Sequence, residues 1–193
     1  MRIAKTDIDY TVRTVAINNS FYTDQNALIS VINNDGHPHV RSAAINKITD
    51  QSILEKLAKN VTEPTLIRTT AIKRIKDESM LIDLALKDTD AAVRHSATFR
   101  LNNQNTLTKI ALNDNVLYVR DTAVDKLIDE NTLIKIAFED EEESIRQTAI
   151  KKISDYSALS KISESDKDDV VRYVAKSRMT EINHLQSKFG FLD

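Results

Sequence analysis

A seven-fold internal repeat constrains the fold of this chain more than any other feature of its sequence. An arginine recurs every 26 to 28 residues, each time preceded by Val or Ile and followed three positions later by Ala. Such a period indicates an array of small units, each of which buries its apolar face only by stacking on its neighbours. The repeated arginines are Arg13, Arg41, Arg68, Arg94, Arg120, Arg146 and Arg172.

Within each unit the apolar residues recur with the period of a helix. Counted from the arginine, positions −1, +3, +4 and +7 share one face at about 100° per residue, which predicts an amphipathic helix and not a strand. In the fourth unit we expect this first helix over about 89–101. Asp or Asn at position +9 then precedes a second apolar cluster, which predicts a second helix of about two turns. The chain is therefore expected to be all-α, with about seven short helical pairs.

The Val-Arg-x-x-Ala core, with Asp six residues before the Arg, resembles the HEAT-like repeats, and the short period is similar to that of the related leucine-rich variant repeats. The resemblance covers the chain from about Asp7 to Leu185. It implies a right-handed α-solenoid, an α-α superhelix formed by a single array over 1–193. It also implies that the repeated Asp and Arg side chains form a ladder, and that the helix carrying the Arg lines the concave face. The carboxylates that match this ladder are Asp7, Asp35, Asp88, Asp114, Asp140 and Asp166, whereas Thr62 replaces the Asp of the third unit.

Physical chemistry independently favours a structural role for these arginines. On a helical wheel each guanidinium emerges inside the apolar stripe. A buried charge without a partner costs roughly 3 to 5 kcal/mol, whereas carboxylate and backbone acceptors make it tolerable. We therefore expect the arginines to be paired inside the stack, in preference to binding the phosphate of a ligand.

A second basic series occupies position +6 of six units. It is either a stripe that meets acidic protein or a phosphate backbone, or a set of cations that complement the negative ends of helix dipoles. The net charge of −2 and the lack of interleaved aromatic residues favour the structural interpretation, so that nucleic acid is the weaker candidate partner. The series is Lys47, Arg74, Arg100, Lys126, Lys152 and Arg178.

The exposed arc of the first helices, at positions −2, +1 and +5, holds the candidate partner-binding residues. His95 and Phe99 are one helical turn apart, and Tyr118 of the next unit is expected beside them, which gives an aromatic spot of the kind favoured at binding hot spots. Alternatively, Phe99 packs into a groove between helices. Lys73, Asp121 and Asp125 lie on the same arc and complete the candidate site.

Composition excludes several classes of chemistry. The 193 residues include no Cys, so that disulfides, thiolate nucleophiles and Cys-ligated metals are excluded, and the two Gly and two Pro argue against phosphate-binding loops. No catalytic motif is present, and we read the Asp35-Gly36-His37-Pro38-His39 segment as a surface turn in preference to a metal site. We expect no enzyme activity and no cofactor. No export signal or 18-residue uncharged stretch is visible, which predicts a cytoplasmic protein without a membrane span.

These observations predict a non-catalytic scaffold that binds a protein or peptide along the concave solenoid face. The alternatives are a nucleic-acid-binding module that uses the +6 series, and a lyase or DNA-glycosylase type of enzyme that uses the region of His95, Phe99, Tyr118 and Asp121. Residues 180–193 are a candidate C-terminal cap. Ile3 and Ala4 match a second helix, so that the chain opens within a unit, and we expect self-association through this open N-terminal edge.

Overall fold

The computed structural model describes residues 7–189 and contains thirteen α-helices and no strand within that range. The predicted all-α class is confirmed. The helices are α1 Tyr10–Asn18, α2 Gln25–Asn34, α3 Pro38–Ile45, α4 Gln51–Lys59, α5 Thr65–Ile72, α6 Glu78–Lys87, α7 Ala91–Arg100, α8 Gln104–Asn113, α9 Leu117–Lys126, α10 Glu130–Glu139, α11 Glu143–Ile150, α12 Tyr156–Ser165 and α13 Asp169–Phe189.

Each second helix begins after a capping side chain. The cap carboxylate or amide oxygen accepts a backbone N–H of the first turn, which satisfies one of the donors that a helix leaves unpaired at its start. Five of the caps stand at position +9, as predicted. In the first repeat, which is longer, the cap Asp24 stands two residues later, at position +11. The caps are Asp24, Asp50, Asp77, Asn103, Asp129 and Asp155.

The expected short second helix is wrong. In the fourth repeat the second helix α8 has ten residues, as many as the first helix α7. The expectation counted only the apolar cluster of the second helix, whereas the helix starts directly after its cap with a polar first turn. The first helix of this unit, Ala91–Arg100, begins and ends within two residues of the expected bounds.

The chain divides into two compact units, Met1–Leu101 and Asn102–Asp193. The same hairpin recurs in both, because each second helix packs against the first helix that follows it. Consecutive first helices also contact one another, as α1, α3, α5 and α7 in the first unit and as α9, α11 and α13 in the second. The hairpins are α2 with α3, α4 with α5 and α6 with α7, then α8 with α9, α10 with α11 and α12 with α13.

The core of each unit is built from the repeated apolar positions. In the first unit Val40 at −1, Ala44 at +3 and Ile48 at +7 are completely buried. Ile145 and Ala149 occupy the same positions in the second unit and are equally buried. The predicted apolar face of the first helices is therefore the face that packs, since every one of these side chains loses its water contact there.

The helix α13 differs from all others because it does not stop where the repeat would end it. Position +9 carries Glu181, in place of the usual Asp or Asn cap, and the helix runs straight through this residue for 21 residues in total. The described part of the candidate cap is the C-terminal half of α13, where Leu185 is half-exposed. Phe191 and Leu192 lie outside the described residues, as do Ile3 and Ala4.

Candidate functional site

Three repeated arginines of the first unit, Arg13, Arg41 and Arg68, bind carboxylates of the following repeat. Arg13 donates from Nε and Nη2 to the two carboxylate oxygens of Asp35, at 2.8 and 3.0 Å. Arg68 binds both carboxylate oxygens of Asp88 from Nη1 and Nη2, and it donates from Nε to the carbonyl oxygen of Ala58 at 2.9 Å. The Arg68 residue is only 3% exposed, so that both partners are needed to compensate its lost hydration.

The third repeat obtains its carboxylate from an unexpected residue. Thr62 cannot pair with Arg41, but the adjacent Glu63 does, with 2.6 Å between Arg41 Nη2 and Glu63 Oε1. Arg41 Nε donates in addition to the carbonyl oxygen of Ile32 at 2.7 Å. The longer Glu side chain compensates for the shift by one residue, a replacement that sequence reasoning missed although Glu63 stands next to the exception.

The second unit repeats the arrangement. Arg120 binds Asp140 at 3.1 and 3.2 Å, and Arg146 binds Asp166 at 2.9 and 3.0 Å. Arg146 is 2% exposed. Each Nη1 also donates to the backbone carbonyl of the Asp six residues earlier; for Arg120 this is Asp114, at 2.9 Å.

The remaining ladder residues make their own contacts. Arg94 donates to the carbonyl oxygen of Asp88 at 3.0 Å, within the first unit. The side chain of Asp114 accepts the N–H of Val116 at 2.9 Å. Arg172 donates to the carbonyl of Asp166. These bonds fix each arginine against the turn that precedes its own helix.

The ladder affects the pKa of two carboxyl groups, those of Asp35 and Asp166. For Asp166, burial has the largest single effect and would raise the pKa. The Arg146 guanidinium and the N–H of Asp168 together outweigh burial, so that the pKa of Asp166 lies below its ordinary value. The pKa of Asp35 is lowered by the same balance between burial, which raises it, and the hydrogen bonds of Arg13 and the His37 N–H. Both carboxylates are therefore ionised wherever the chain is folded near neutral pH.

The second basic series closes the C-terminal ends of neighbouring first helices. Lys47 donates from Nζ to the carbonyl oxygen of Ile17 at 2.8 Å, and Arg74 donates to those of Asn46 and Ile48 at 2.6 and 2.9 Å. Each cation thus donates to carbonyl oxygens of the preceding repeat. A simple dipole argument would instead place it at the C-terminal end of its own helix. Arg100, Lys152 and Arg178 make equivalent bonds to carbonyls one repeat earlier.

A third connection between repeats was missed from the sequence. Gln104, the first residue of α8, donates to the carbonyl oxygen of Lys126 at 3.2 Å and accepts the N–H of Ile128 at 3.0 Å. Gln25 and Gln51 bridge the next turn in the same way. An amide suits this position because it is donor and acceptor at once. The signal available in the sequence was Gln directly after the Asp or Asn cap in three repeats.

A groove between α1 and α3 is left on the exposed side of the first helices in the first unit. It encloses about 410 Å³ and is lined by uncharged side chains. At its edge the Tyr10 ring stacks on the imidazole of His37, with centroids 3.7 Å apart, and His39 lies beside them. The lining residues are Tyr10, Thr11, Thr14, Val15, Asn18, His39, Ser42, Ala43 and Asn46.

The predicted partner-binding residues of the first unit lie on the outer arc of their helices. Phe99 is 67% exposed on α7, one turn after His95. Lys73 is exposed at the C-terminal end of α5. Phe99 and Lys73 occupy position +5 of their repeats, which Asn18 and Asn46 occupy in the lining of the α1–α3 groove.

The second unit carries the other three candidate residues. Tyr118 is 45% exposed near the start of α9, and Asp125 is exposed near its end. The carboxylate of Asp121 accepts the hydroxyl of Thr148 at 2.9 Å, and thereby links α9 to α11. The meeting of Tyr118 with His95 and Phe99 stays a prediction.

Within residues 7–189 no group of three or more His, Asp or Glu side chains is placed to hold a metal ion. In the Asp35–His39 turn, Asp35 binds Arg13, and His37 Nδ1 accepts the N–H of His39 at the start of α3. In the part of the chain that the structure describes, every helix is too short or too polar to cross a bilayer.

Comparison with known proteins gives no match: neither a protein-family model, nor a curated protein, nor a solved structure is similar to this chain.

Proposed function

We propose that this protein is a HEAT-like α-solenoid of the cytoplasm and that it acts as a non-catalytic scaffold, which binds a protein or peptide along the exposed side of its first helices. The repeat pattern supports the architecture, together with the arginine–carboxylate bonds that recur between successive repeats inside each unit. The binding role is supported above all by the groove between α1 and α3, because its neutral hydrogen-bonding and aromatic lining suits a peptide chain.

The use of the charged residues also supports this proposal. Most of the ladder arginines and five of the six +6 cations donate to carboxylates or backbone carbonyls inside their unit, so that these groups serve structure. A nucleic-acid module would need such cations to be available for phosphates. We therefore place protein or peptide ahead of nucleic acid as the partner.

An enzyme of the lyase or glycosylase type is also less well supported. Its best carboxylate, Asp121, holds the Thr148 hydroxyl, and the neighbouring Asp125 is exposed to solvent. A general base needs a carboxylate that can reach a substrate proton in a site sheltered from water. Neither carboxylate offers that arrangement in the second unit.

The test is a selection of displayed random peptides on the purified protein, followed by titration of the selected peptides by fluorescence anisotropy. We expect Phe99→Ala and Tyr118→Ala to weaken binding by about tenfold or more, the size of a hot-spot contact. Tyr10→Ala probes the α1–α3 groove in the same assay.

Matched controls lie on the second helices. Phe138 and Tyr156 are 45% and 47% exposed, fractions that match the 45% of Tyr118. They belong to the second helices α10 and α12. Phe138→Ala and Tyr156→Ala should change the affinity by less than about twofold. If no peptide is selected, or if the second-helix variants weaken binding as much as the first-helix variants, the proposed surface is wrong.

A further inference from the structure

We propose that this protein self-associates head to tail, so that α1 of one copy packs on α13 of another copy as one repeat packs on the next. The contact pairs Asp7 of one copy with Arg172 of the other. The argument uses the bonds seen between consecutive repeats within a unit, and it does not rest on the proposed binding of a peptide.

Asp7 has the local geometry of a ladder carboxylate. Its Oδ1 accepts the N–H of Asp9 at 2.9 Å, as Asp166 Oδ1 accepts the N–H of Asp168 at 2.8 Å. Asp166 receives in addition the guanidinium fork of Arg146 from the preceding repeat. Among the described residues no guanidinium reaches the Asp7 carboxylate. This carboxylate is therefore oriented for an arginine that a second copy can supply.

Arg172 has the complementary geometry. It donates from Nη1 to the carbonyl of Asp166 at 2.6 Å, as Arg146 does to the carbonyl of Asp140. Its Nη2 pairs with Asp169 of the same helix, whose side chain is 87% exposed, and Arg172 itself is 32% exposed. Such an exposed pair contributes little, so that Arg172 can exchange it for a more sheltered carboxylate.

Apolar side chains stand where the same contact needs them. Inside the first unit, position +1 of one first helix contacts position +2 of the next, as in the 2.9 Å bond between Ser42 Oγ and Thr70 Oγ1. On α13, position +1 is Tyr173, 68% exposed, and on α1, position +2 is Val15, 70% exposed. Val12 at position −1 is 39% exposed. The residues equivalent to Val12 are all fully buried: Val40, Ile67, Val93, Val119, Ile145 and Val171.

A contact of this kind joins two different surfaces and therefore produces open chains or a closed ring of copies. Sedimentation velocity of the 193-residue protein from about 10 µM to about 1 mM should show a mass that rises with concentration, because a single small contact gives micromolar to millimolar affinity. Asp7→Arg and Arg172→Asp each place like charges across the contact and should leave the protein monomeric.

The decisive sample is an equimolar mixture of the two variants, in which opposite charges face each other again and association returns. Asp83→Arg and Lys87→Asp, at an exposed pair on α6, are matched controls and should associate like the wild type. Val15→Asp changes a 70% exposed residue of the same contact and should also leave the protein monomeric. A wild type that stays monomeric at about 1 mM, or a mixture that remains monomeric although both variants are folded by circular dichroism, would overturn the proposal.

Discussion

Replacing Arg146 by Met tests the structural role of the repeated arginines most directly. Arg146 is 2% exposed, and its guanidinium binds both carboxylate oxygens of Asp166 and the carbonyls of Asp140 and Glu141. Met keeps much of the apolar volume, so that the variant removes the charge and its bonds without opening a large cavity. The Asp166 carboxylate, 7% exposed, is then left with the N–H of Asp168 as its remaining partner.

The expected loss is about 3 to 5 kcal/mol, the cost of leaving one partner of a buried ion pair behind. For a chain of this length that corresponds to a melting temperature about 6 to 20 °C lower. Urea denaturation followed by circular dichroism measures the free energy of unfolding directly. Adding Asp166→Ala to Arg146→Met should recover part of the loss, because the orphaned carboxylate is removed as well.

Lys135→Ala is the matched control, because Lys135 and Glu139 form an exposed pair one turn apart on α10. We expect a change of about 0.5 kcal/mol or less. If Arg146→Met costs no more than Lys135→Ala, the guanidinium is not a structural element of the stack, and the physical basis of the repeat assignment fails.

Three further predictions follow from the other connections between repeats. Glu63→Ala should cost about 1.5 to 3 kcal/mol in chemical denaturation, and adding Thr62→Asp should recover part of it by restoring the carboxylate of the repeat; no recovery would contradict the ladder at this repeat. Gln104→Glu should lower the free energy of unfolding by about 1 kcal/mol, because a carboxylate cannot donate to the carbonyl of Lys126. Glu130→Gln should be nearly neutral, because Glu130 only accepts hydrogen bonds. Equal effects of the two variants would refute the donor role of Gln104. The free energy of unfolding should fall as the pH drops below about 4, since the pKa of Asp166 is lower in the folded than in the unfolded chain. Asp166→Asn should flatten this pH dependence. If the variant has the same acid profile as the wild type, Asp166 does not contribute to it.

The sequence was sufficient for the positions of the helices, although not for the length of the second ones, because the signals that start a helix are local. The apolar positions around each arginine lie on one helical face, and the Asp or Asn caps mark the starts of the second helices in the structure. Where a signal was not local, prediction failed. Glu63 supplies the carboxylate that Thr62 lacks, because its longer side chain reaches Arg41. Gln104 forms hydrogen bonds with a turn 22 to 24 residues later in the chain.

The candidate site could be predicted only as a list of exposed positions. Helical spacing places Phe99 and Tyr118 on the outer arc, and both are exposed. Spacing does not reveal that Asp121 is engaged by Thr148, or that α1 and α3 leave a groove between them. These features depend on distances between different helices, which a one-dimensional pattern does not contain.

The amino-acid sequence by itself determined the helical class, the number of repeats and the face of each first helix that is buried, because periodicity and capping act within a few residues of the chain. Only the tertiary structure decided which acceptor each cation takes. Arg146 binds the carboxylate of the following repeat, and Lys47 binds the carbonyls of the preceding one. The physical reason is that a long flexible cation reaches acceptors on either side, and the packing of the neighbouring helices determines which of them lies within hydrogen-bond distance.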